Sequence, residues 1–342
     1  MNFEFSAEQE ELRANVRRFL AEQKPDASLA LLGLAGLLVP EALGGAGLGM
    51  LELGVVLEEC GRALHAGPFL ASALGATRLL LGATSEVERC AWLPTLASGE
   101  RRAAVLGLAP GARLREASGR LTGVEPFALE AGDADPLLAV ADGAVFVIEP
   151  HAPGVQIEPA ESLDPTRCLF RVVLEAAPAR RLGGGDAAAA VAAASDAVVA
   201  GLVADGVGAA ARALELALDY AKQREQFGRP IGSFQAVQHL LVDMLQDIEL
   251  ARAAAYYALW AQDAAAPAER ARATALAKAF ASDALPRVGA TAIQVFGGIG
   301  FTAELDIHRY YRRLISLSLL YGDASHQLDR IAEIAFSLGE EV

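Results

Sequence analysis

An alanine-rich segment at about residues 187–223 constrains the fold of this chain more strongly than any other feature of its sequence. Alanine is the strongest helix former, so the segment predicts one very long helix. Helical periodicity continues over about residues 235–263, 267–294, 304–320 and 324–340. Short glycine-containing connections interrupt it at residues 228–234 and 296–302. Long helices with short connections are typical of an up-and-down bundle, so residues 186–342 predict a C-terminal, four-helix-type bundle domain.

Before this bundle, the spacing of the apolar residues changes at about position 103. Residues 1–102 place apolar side chains at helical spacing, starting after Ser6, which opens a capping-box pattern, and predict an N-terminal helical domain. Residues 103–182 instead contain about six short strand-like runs that are separated by turn sequences, with no helix between them. This region predicts a small middle domain, an antiparallel β barrel or sandwich, so the expected fold class is α+β, mostly α.

The composition excludes several classes of function. With 43 acidic and 29 basic residues the net charge is −14, which argues against nucleic-acid binding, because that affinity comes from Lys and Arg. The longest charge-free apolar stretch, residues 27–40, is too short to span a membrane and predicts a packed core helix. The cysteines lack a CxxC pattern and predict small buried side chains, at Cys60, Cys90 and Cys168. No metal-ligand spacing occurs, and a charged N-terminus without a signal-peptide pattern predicts a cytoplasmic protein.

A basic and aromatic motif, YAKQREQFGRPIGSFQAVQH, occupies residues 220–239 at the end of the longest predicted helix. It gathers Lys222, Arg224 and Arg229 around Phe227 in an otherwise acidic chain. A guanidinium offers a planar fork of donors that suits a pyrophosphate, and an aromatic ring offers a surface for a ring system. The competing interpretation is a basic helix C-terminus that complements the helix dipole.

A glycine-rich motif, QVFGGIGFT, occupies residues 294–302. Gly297, Gly298 and Gly300 allow the backbone to approach a ligand closely, and Gln294 supplies a polar side chain one turn upstream. A dinucleotide-binding fingerprint would require a preceding strand and the full GxGxxG spacing. Here an alanine-rich helix precedes the glycines, so a Rossmann domain is not expected.

Taken together, the two motifs resemble the C-terminal domain of the acyl-CoA dehydrogenase family. The sequence VPEALGGAGLGMLELGVVLEECGRA, at residues 39–63, resembles that family's N-terminal helices, and the helix–strand–helix order matches its three-part fold. The resemblance spans nearly the whole chain. It implies a flavoprotein that holds FAD across a subunit interface.

The resemblance also implies which residues contact FAD and what the protein does. The contacts from one subunit would be Arg224, Phe227 and Gln235. The contacts with the adenine–pyrophosphate end, from another subunit, would be Gln294, Gly297 and Gly298. Family members remove a proton α to a CoA thioester while a β-hydride passes to the flavin, in the β-oxidation of fatty acids or steroid side chains. The implied partners are an acyl-CoA substrate, an acceptor such as an electron-transfer flavoprotein, and family members in a homo- or heterotetramer.

The chain departs from the family at the catalytic base. Most members carry a glutamate in a Tyr-Glu-Gly-Thr-like turn, and the matching residues here are 320–323, where Tyr321 replaces the glutamate. A minority carry it early in the long helix, where this chain has Val198. Tyrosine, with a pKa of ~10, supplies little phenolate near neutral pH. The nearest acid, Asp323, is the candidate base, with capping of the final helix as its competing interpretation.

A second departure lies in the predicted β domain. Most relatives carry a Thr-Glu-Pro loop with Gly-Ser-Asp, and then a Lys…Ile-Thr-Asn segment, which contact flavin and substrate. The corresponding places here hold LAPGARLREASG at residues 108–119 and VEPFALEA at residues 124–131. The side chains expected beside the flavin ring are therefore absent.

The leading functional hypothesis is a FAD-dependent acyl-CoA dehydrogenase subunit of a heterotetramer in which a partner chain supplies the base. One alternative is a self-sufficient flavoenzyme that uses Asp323 as its base. The other is a non-catalytic binding or structural subunit that keeps the fold.

Overall fold

The computed structural model describes residues 5–23 and 28–338 of the chain. Its N-terminal part is helical, as the sequence predicts. The first helix begins with the predicted capping box, formed by Ser6 and Gln9. The α-helices of this part are α1 (Ala7–Glu22), α2 (Met50–Arg62), α3 (Thr77–Ala83) and α4 (Glu86–Ala97). A π-helical segment, Phe69–Ala76, leads directly into α3.

The apolar stretch at 27–40 does not form the core helix that the sequence suggests, although its first residue lies outside the described residues. It folds as short 3₁₀ turns, at Leu29–Leu32 and Leu34–Gly36. Gly33 stands between them in the left-handed region, with φ of 74°, so the chain cannot continue as one α-helix. The prediction of a single packed helix is therefore wrong there, while the burial of Leu37 and Val39 is as expected.

The middle part forms two four-stranded sheets, with eight strands rather than the six or so that the sequence predicts. The strands are β1 (Ala104–Leu106), β2 (Arg113–Ala117), β3 (Arg120–Leu129), β4 (Leu137–Ala141), β5 (Ala144–Ile148), β6 (Val155–Pro159), β7 (Leu169–Pro178) and β8 (Arg180–Leu182). The sheet orders are β1-β4-β5-β8 and β2-β3-β7-β6. All neighbours are antiparallel except β1 and β4. The predicted β region is confirmed; the sequence missed β2 and β8, which are polar or short.

The C-terminal part is the predicted bundle of long helices. They are α5 (Ala187–Gln223), α6 (Gln235–Ala264), α7 (Pro267–Phe296), α8 (Ile307–Leu319) and α9 (Ala324–Leu338). Asp186 caps α5 by accepting a hydrogen bond from the Ala189 N–H. The mostly helical α+β fold class is confirmed.

Helix α5 lies at the centre of the molecule, and glycines let other backbones reach it. A Cβ at Gly61 of α2 would overlap the carbonyl oxygen of Asp205, and a Cβ at Gly208 of α5 would overlap that of Glu58. The two helices therefore touch backbone to backbone where they cross. By length and composition α5 could also cross a membrane, but most of its apolar window is buried inside the protein, as in a core helix.

The three cysteines divide between two environments. Cys60 is buried on α2, as the sequence predicts, and burial raises the pKa of its thiol well above the ordinary value. Cys90 and Cys168 are exposed, so the expectation of a buried side chain is wrong for both. Cys90 lies on the outer face of α4, and Cys168 directly precedes β7, at the surface.

Candidate functional site

The basic motif forms a small exposed hairpin at the end of α5. Its two strands are β9 (Glu225–Gln226) and β10 (Arg229–Pro230), which pair in antiparallel register. The two turn residues, Phe227 and Gly228, both have positive φ, 54° and 74°, as a two-residue type I′ turn requires. A phenylalanine in this conformation is strained, and its ring is 93% exposed. An aromatic ring held in this way is available to a ligand or another chain.

The cations of the hairpin are free to meet an anion. Arg224 ends α5, is exposed, and forms no ion pair with any of the described residues. Lys222, in the last turn of α5, is exposed as well. Arg229 places its guanidinium over the Phe234 ring, 4.1 Å from the centroid, which orients it without neutralising it.

The glycine-rich motif lies beside this hairpin. Helix α7 ends at Phe296, and the Tyr220 ring of α5 stacks on the Phe296 ring with centroids 4.4 Å apart. Gly297 then turns the chain with a φ of 66°, and a Cβ at Gly297 or Gly298 would meet nothing within 4 Å. Gln294, in the last turn of α7, is exposed. The two motifs, 55 residues and more apart in sequence, thus share one end of the bundle.

These residues fit the FAD contacts that the sequence resemblance implies. All six predicted contacts are exposed: Arg224, Phe227, Gln235, Gln294, Gly297 and Gly298. Unpaired guanidinium groups suit a pyrophosphate, an exposed ring suits a stacking partner, and an unobstructed glycine backbone allows close approach. The contacts themselves stay predictions.

The two positions at which the family carries its catalytic glutamate are closed and apolar. Tyr321 is buried, and its backbone lies in the left-handed region with φ of 59°. Burial raises the pKa of its hydroxyl far above the ordinary value, so it is not a base near neutral pH. Val198 is buried against the π-helical segment, where a Cβ at Gly75 would lie 3.2 Å from its Cγ2.

The turn that carries Tyr321 is held by a buried lysine that the sequence analysis missed. The Lys278 amine of α7 donates to the Ser282 hydroxyl at 2.9 Å, the Ser318 carbonyl at 3.0 Å and the Gly322 carbonyl at 2.9 Å. Burial lowers the pKa of Lys278 to about 8. A lone lysine in an alanine-rich helix gives no sequence signal of such a role.

Asp323 lies at the start of α9 and is exposed. Its Oδ1 accepts a hydrogen bond from the His326 N–H at 2.9 Å, and its carbonyl accepts from the Gln327 N–H. The capping interpretation is therefore confirmed. The general-base role of Asp323 stays a prediction, and an exposed, already bonded carboxylate gives it no support.

Two carboxylates of the β region lie near Tyr321 instead. Glu125 is buried, and both its oxygens accept backbone hydrogen bonds, from Gly107 at 2.9 Å and Phe127 at 3.4 Å. Glu130 follows β3, and its Oε2 accepts the Ala71 N–H at 2.8 Å. Burial raises the pKa of Glu125, and raises that of Glu130 to about 7. Both charges act on Tyr321 and raise the pKa of its hydroxyl further.

From its sequence alone, the segment at residues 124–131 lacks the side chains that the family places beside the flavin. Two acids of that segment, Glu125 and Glu130, nevertheless act electrostatically on Tyr321. The signal was present as acidic residues within an apolar strand, where charged side chains are rare unless they are bonded.

A buried ion network joins all three parts of the chain next to this region. Arg313 of α8 is fully buried and donates to Asp164 at 2.7 Å, to Asp205 at 3.2 Å and to the carbonyl oxygen of His65 at 3.2 Å. Arg167 also pairs with Asp205, at 2.7 Å. Arg313 therefore belongs to the interior of the protein.

Two family models match the sequence of this chain. Residues 26–100 match the acyl-CoA dehydrogenase N-terminal domain, and residues 200–336 match the acyl-CoA dehydrogenase C-terminal domain. Acyl-CoA dehydrogenase IpdE2 of Mycolicibacterium smegmatis is 33% identical over 94% of this chain and 88% of its own length. Acyl-CoA dehydrogenase FadE34 of Mycobacterium tuberculosis is 34% identical over 90% of this chain, which spans only 41% of FadE34.

A solved structure has the same fold over the whole chain. The ChsE4-ChsE5 complex from Mycobacterium tuberculosis contains a chain that superposes with a TM-score of 0.86 at 28% identity, covering 100% of both chains.

Proposed function

Because the chain belongs to the acyl-CoA dehydrogenase family, we propose that it takes part in the FAD-dependent α,β-dehydrogenation of an acyl-CoA thioester. In this proposal FAD supplies the two-electron oxidation, by accepting a hydride from the β-carbon. The chain's residues hold the cofactor, exclude water from the thioester and provide for removal of the α-proton.

The observation that carries the proposal is the juxtaposition of the two motifs at one end of the bundle. Arg224, Phe227 and Gln235 would contact FAD on one side, with the unpaired guanidinium on a phosphate oxygen. Gln294, Gly297 and Gly298 would contact the adenine–pyrophosphate end bound by another subunit. The stacking of Tyr220 on Phe296 holds the two sets in fixed relation.

The assembly in this proposal is a tetramer that contains a second family member. Support comes from apolar side chains left exposed around the motifs, including Phe227 and Phe301, at 93% and 77%. The structural similarity to a chain of a two-protein complex, ChsE4-ChsE5, supports a heteromer. An electron-transfer flavoprotein would reoxidise the flavin, and the reaction would take place in the cytoplasm.

The missing glutamate leaves two sources for the base. A partner chain could place its own glutamate beside the shared flavin, as the sequence hypothesis holds. This chain could also use a carboxylate of its own, such as Glu130, which acts electrostatically on Tyr321. A non-catalytic subunit would need neither source.

The test is a visible spectrum of the purified chain, both alone and co-expressed with a second member of the family. FAD and a panel of acyl-CoA thioesters are added to each sample. We expect a bound flavin spectrum that is bleached by at least one thioester in the absence of oxygen. A colourless monomer under both conditions would contradict the proposal. Bound flavin that no thioester bleaches would indicate the non-catalytic subunit.

A further inference from the structure

Glu130 is bonded to the π-helical segment and lies close enough to Tyr321 to act on it electrostatically. Its carboxylate is bonded to Ala71 in the first turn of the π-helical segment, and that segment packs on Val198 of α5 through Gly75. The carboxylate also acts electrostatically on Tyr321. This chain therefore has a carboxylate that is bonded to the segment packed on Val198 and that acts on Tyr321, the two positions that lack the family's glutamate.

We propose that Glu130 is the group of this chain that accepts the α-proton of the acyl-CoA thioester. The assignment rests on the proposed function, and it selects this chain, rather than a partner, as the source of the base.

The two oxygens of Glu130 differ in a way that suits a base. Oε2 is fixed by the Ala71 N–H, while the structure gives Oε1 no hydrogen bond from a described residue. The fixed oxygen orients the carboxylate, and the other remains available to a proton. The backbone of Glu130 is also in the left-handed region, with φ of 57°, and strain of this kind at a non-glycine residue is concentrated at functional sites.

Protonation of Glu130 is matched to neutral conditions. Burial raises its pKa to about 7, so the carboxylate is available near pH 7 and binds a proton more readily than an exposed glutamate. The ionisable groups that act on it or that it acts on are Arg167, Arg313, Asp205, Cys60, Cys168 and Tyr321.

The step balances without a further reactant. The Cα–H bond breaks and its proton forms an O–H bond with Glu130. The electron pair of that bond forms the Cα–Cβ double bond, and the β-hydrogen leaves as hydride to FAD, which is reduced by two electrons. The acid formed on Glu130 returns its proton to solvent when the product leaves.

Glu125, on the strand that Glu130 follows, provides a matched control. It is also buried with a raised pKa, but both its oxygens are taken by the Gly107 and Phe127 N–H groups. A residue that only supplies buried negative charge near Tyr321 would behave like Glu125. A residue that accepts the proton would not.

The experiment measures exchange of the thioester α-proton, which needs no oxidation. The protein, with its partner where one is required for assembly, is incubated in D₂O with butanoyl-CoA, octanoyl-CoA or a ring-bearing acyl-CoA, and deuterium at the α-carbon is measured by mass spectrometry. We expect Glu130→Gln to slow exchange by roughly 10²- to 10⁴-fold, the contribution of a general base. Glu125→Gln should retain exchange within a few-fold.

Glutamine at position 130 keeps an oxygen for the Ala71 N–H, so loss of exchange cannot be attributed to loss of that hydrogen bond. The pH profile of exchange in the wild-type protein should show a limb near pH 7 that is absent in Glu130→Gln. Exchange at the wild-type rate in Glu130→Gln would overturn the assignment while leaving the proposed function intact. Wild-type protein that exchanges no thioester, and whose flavin none bleaches, would overturn both.

Discussion

Two regions of this molecule use the same residue types for opposite purposes. At the end of the bundle, Arg224 is exposed and without an ionic partner among the described residues. At the junction of the three parts, Arg313 is fully buried and bonded to Asp164 and Asp205. An exposed, unpaired guanidinium is available to bind an anionic ligand. A buried, fully bonded one determines how the parts fit together.

The region around Tyr321 lies between these extremes. Lys278 is buried and Glu130 is half-buried, yet neither forms an ion pair with a described residue within bonding distance. Their hydrogen bonds go to neutral groups, and burial shifts both pKa values towards neutrality, to about 8 and about 7. Charges that are buried without a partner are costly, and such groups are concentrated at functional sites.

Substitution of Arg313 should have the largest effect on stability of the changes considered for the two regions. Arg313→Leu should lower the free energy of unfolding by about 3–5 kcal/mol, because it leaves the buried carboxylate of Asp164 without a cation. Urea denaturation measures the change. Arg309→Leu, on the same helix, removes an exposed pair with Asp306 and should cost about 0–1 kcal/mol. Equal losses in the two variants would show that burial does not distinguish these arginines.

The second prediction concerns the pH dependence of stability at Glu130. The folded protein holds a proton on Glu130 up to about pH 7, whereas the unfolded chain releases it near pH 4.5, so wild-type stability falls as the pH rises through that window. Glu130→Gln has no such fall. It should be more stable than wild type by up to about 3 kcal/mol above pH 7, with no gain below pH 4.5.

Denaturation curves of the two proteins at several pH values measure this difference. A gain that is the same at every pH would come from packing rather than from the proton. A stabilising substitution that also stops α-proton exchange would place Glu130 among the residues that cost stability for function.

Local patterns in the sequence accounted for the fold and for one of the two regions. The bounds of α5, α6 and α9 follow from alanine content and helical spacing, and the motifs around Arg224 and Gly297 are contiguous in sequence. The short 3₁₀ turns after α1 were missed, because Gly33 acts through its backbone conformation and not through hydrophobic spacing.

The other region could not be predicted, because its partners are distant in sequence. The Arg313–Asp164 pair joins residues 149 positions apart, and the Glu130–Ala71 bond joins residues 59 apart. Arg313 and Asp164, each taken alone in the sequence, resemble ordinary surface charges. Their structural role follows from their burial, which only the three-dimensional arrangement shows.

The third prediction tests the exposed region. Arg224→Gln should weaken FAD binding by roughly 10- to 100-fold, the effect of losing a hydrogen bond from a charged donor to a phosphate, about 1.5–3 kcal/mol. Stability without FAD should be unchanged, because Arg224 has no ionic partner among the described residues. Arg115→Gln, which removes an exposed cation from β2, is the control for net charge. Fluorescence titration with FAD compares them, and equal affinities would remove Arg224 from the cofactor site.

The smallest predicted effect is at Asp323, and it separates capping from catalysis. Asp323→Ala removes the acceptor of the His326 N–H and should cost about 1 kcal/mol, whereas Asp323→Asn retains a good cap and should cost less. If the carboxylate only caps α9, Asp323→Asn keeps both the bound flavin and α-proton exchange. If exchange instead stops while the flavin stays bound, the base is this exposed carboxylate. The half-buried Glu130 would then have no part in proton removal, and the contrast between the two regions would not extend to catalysis.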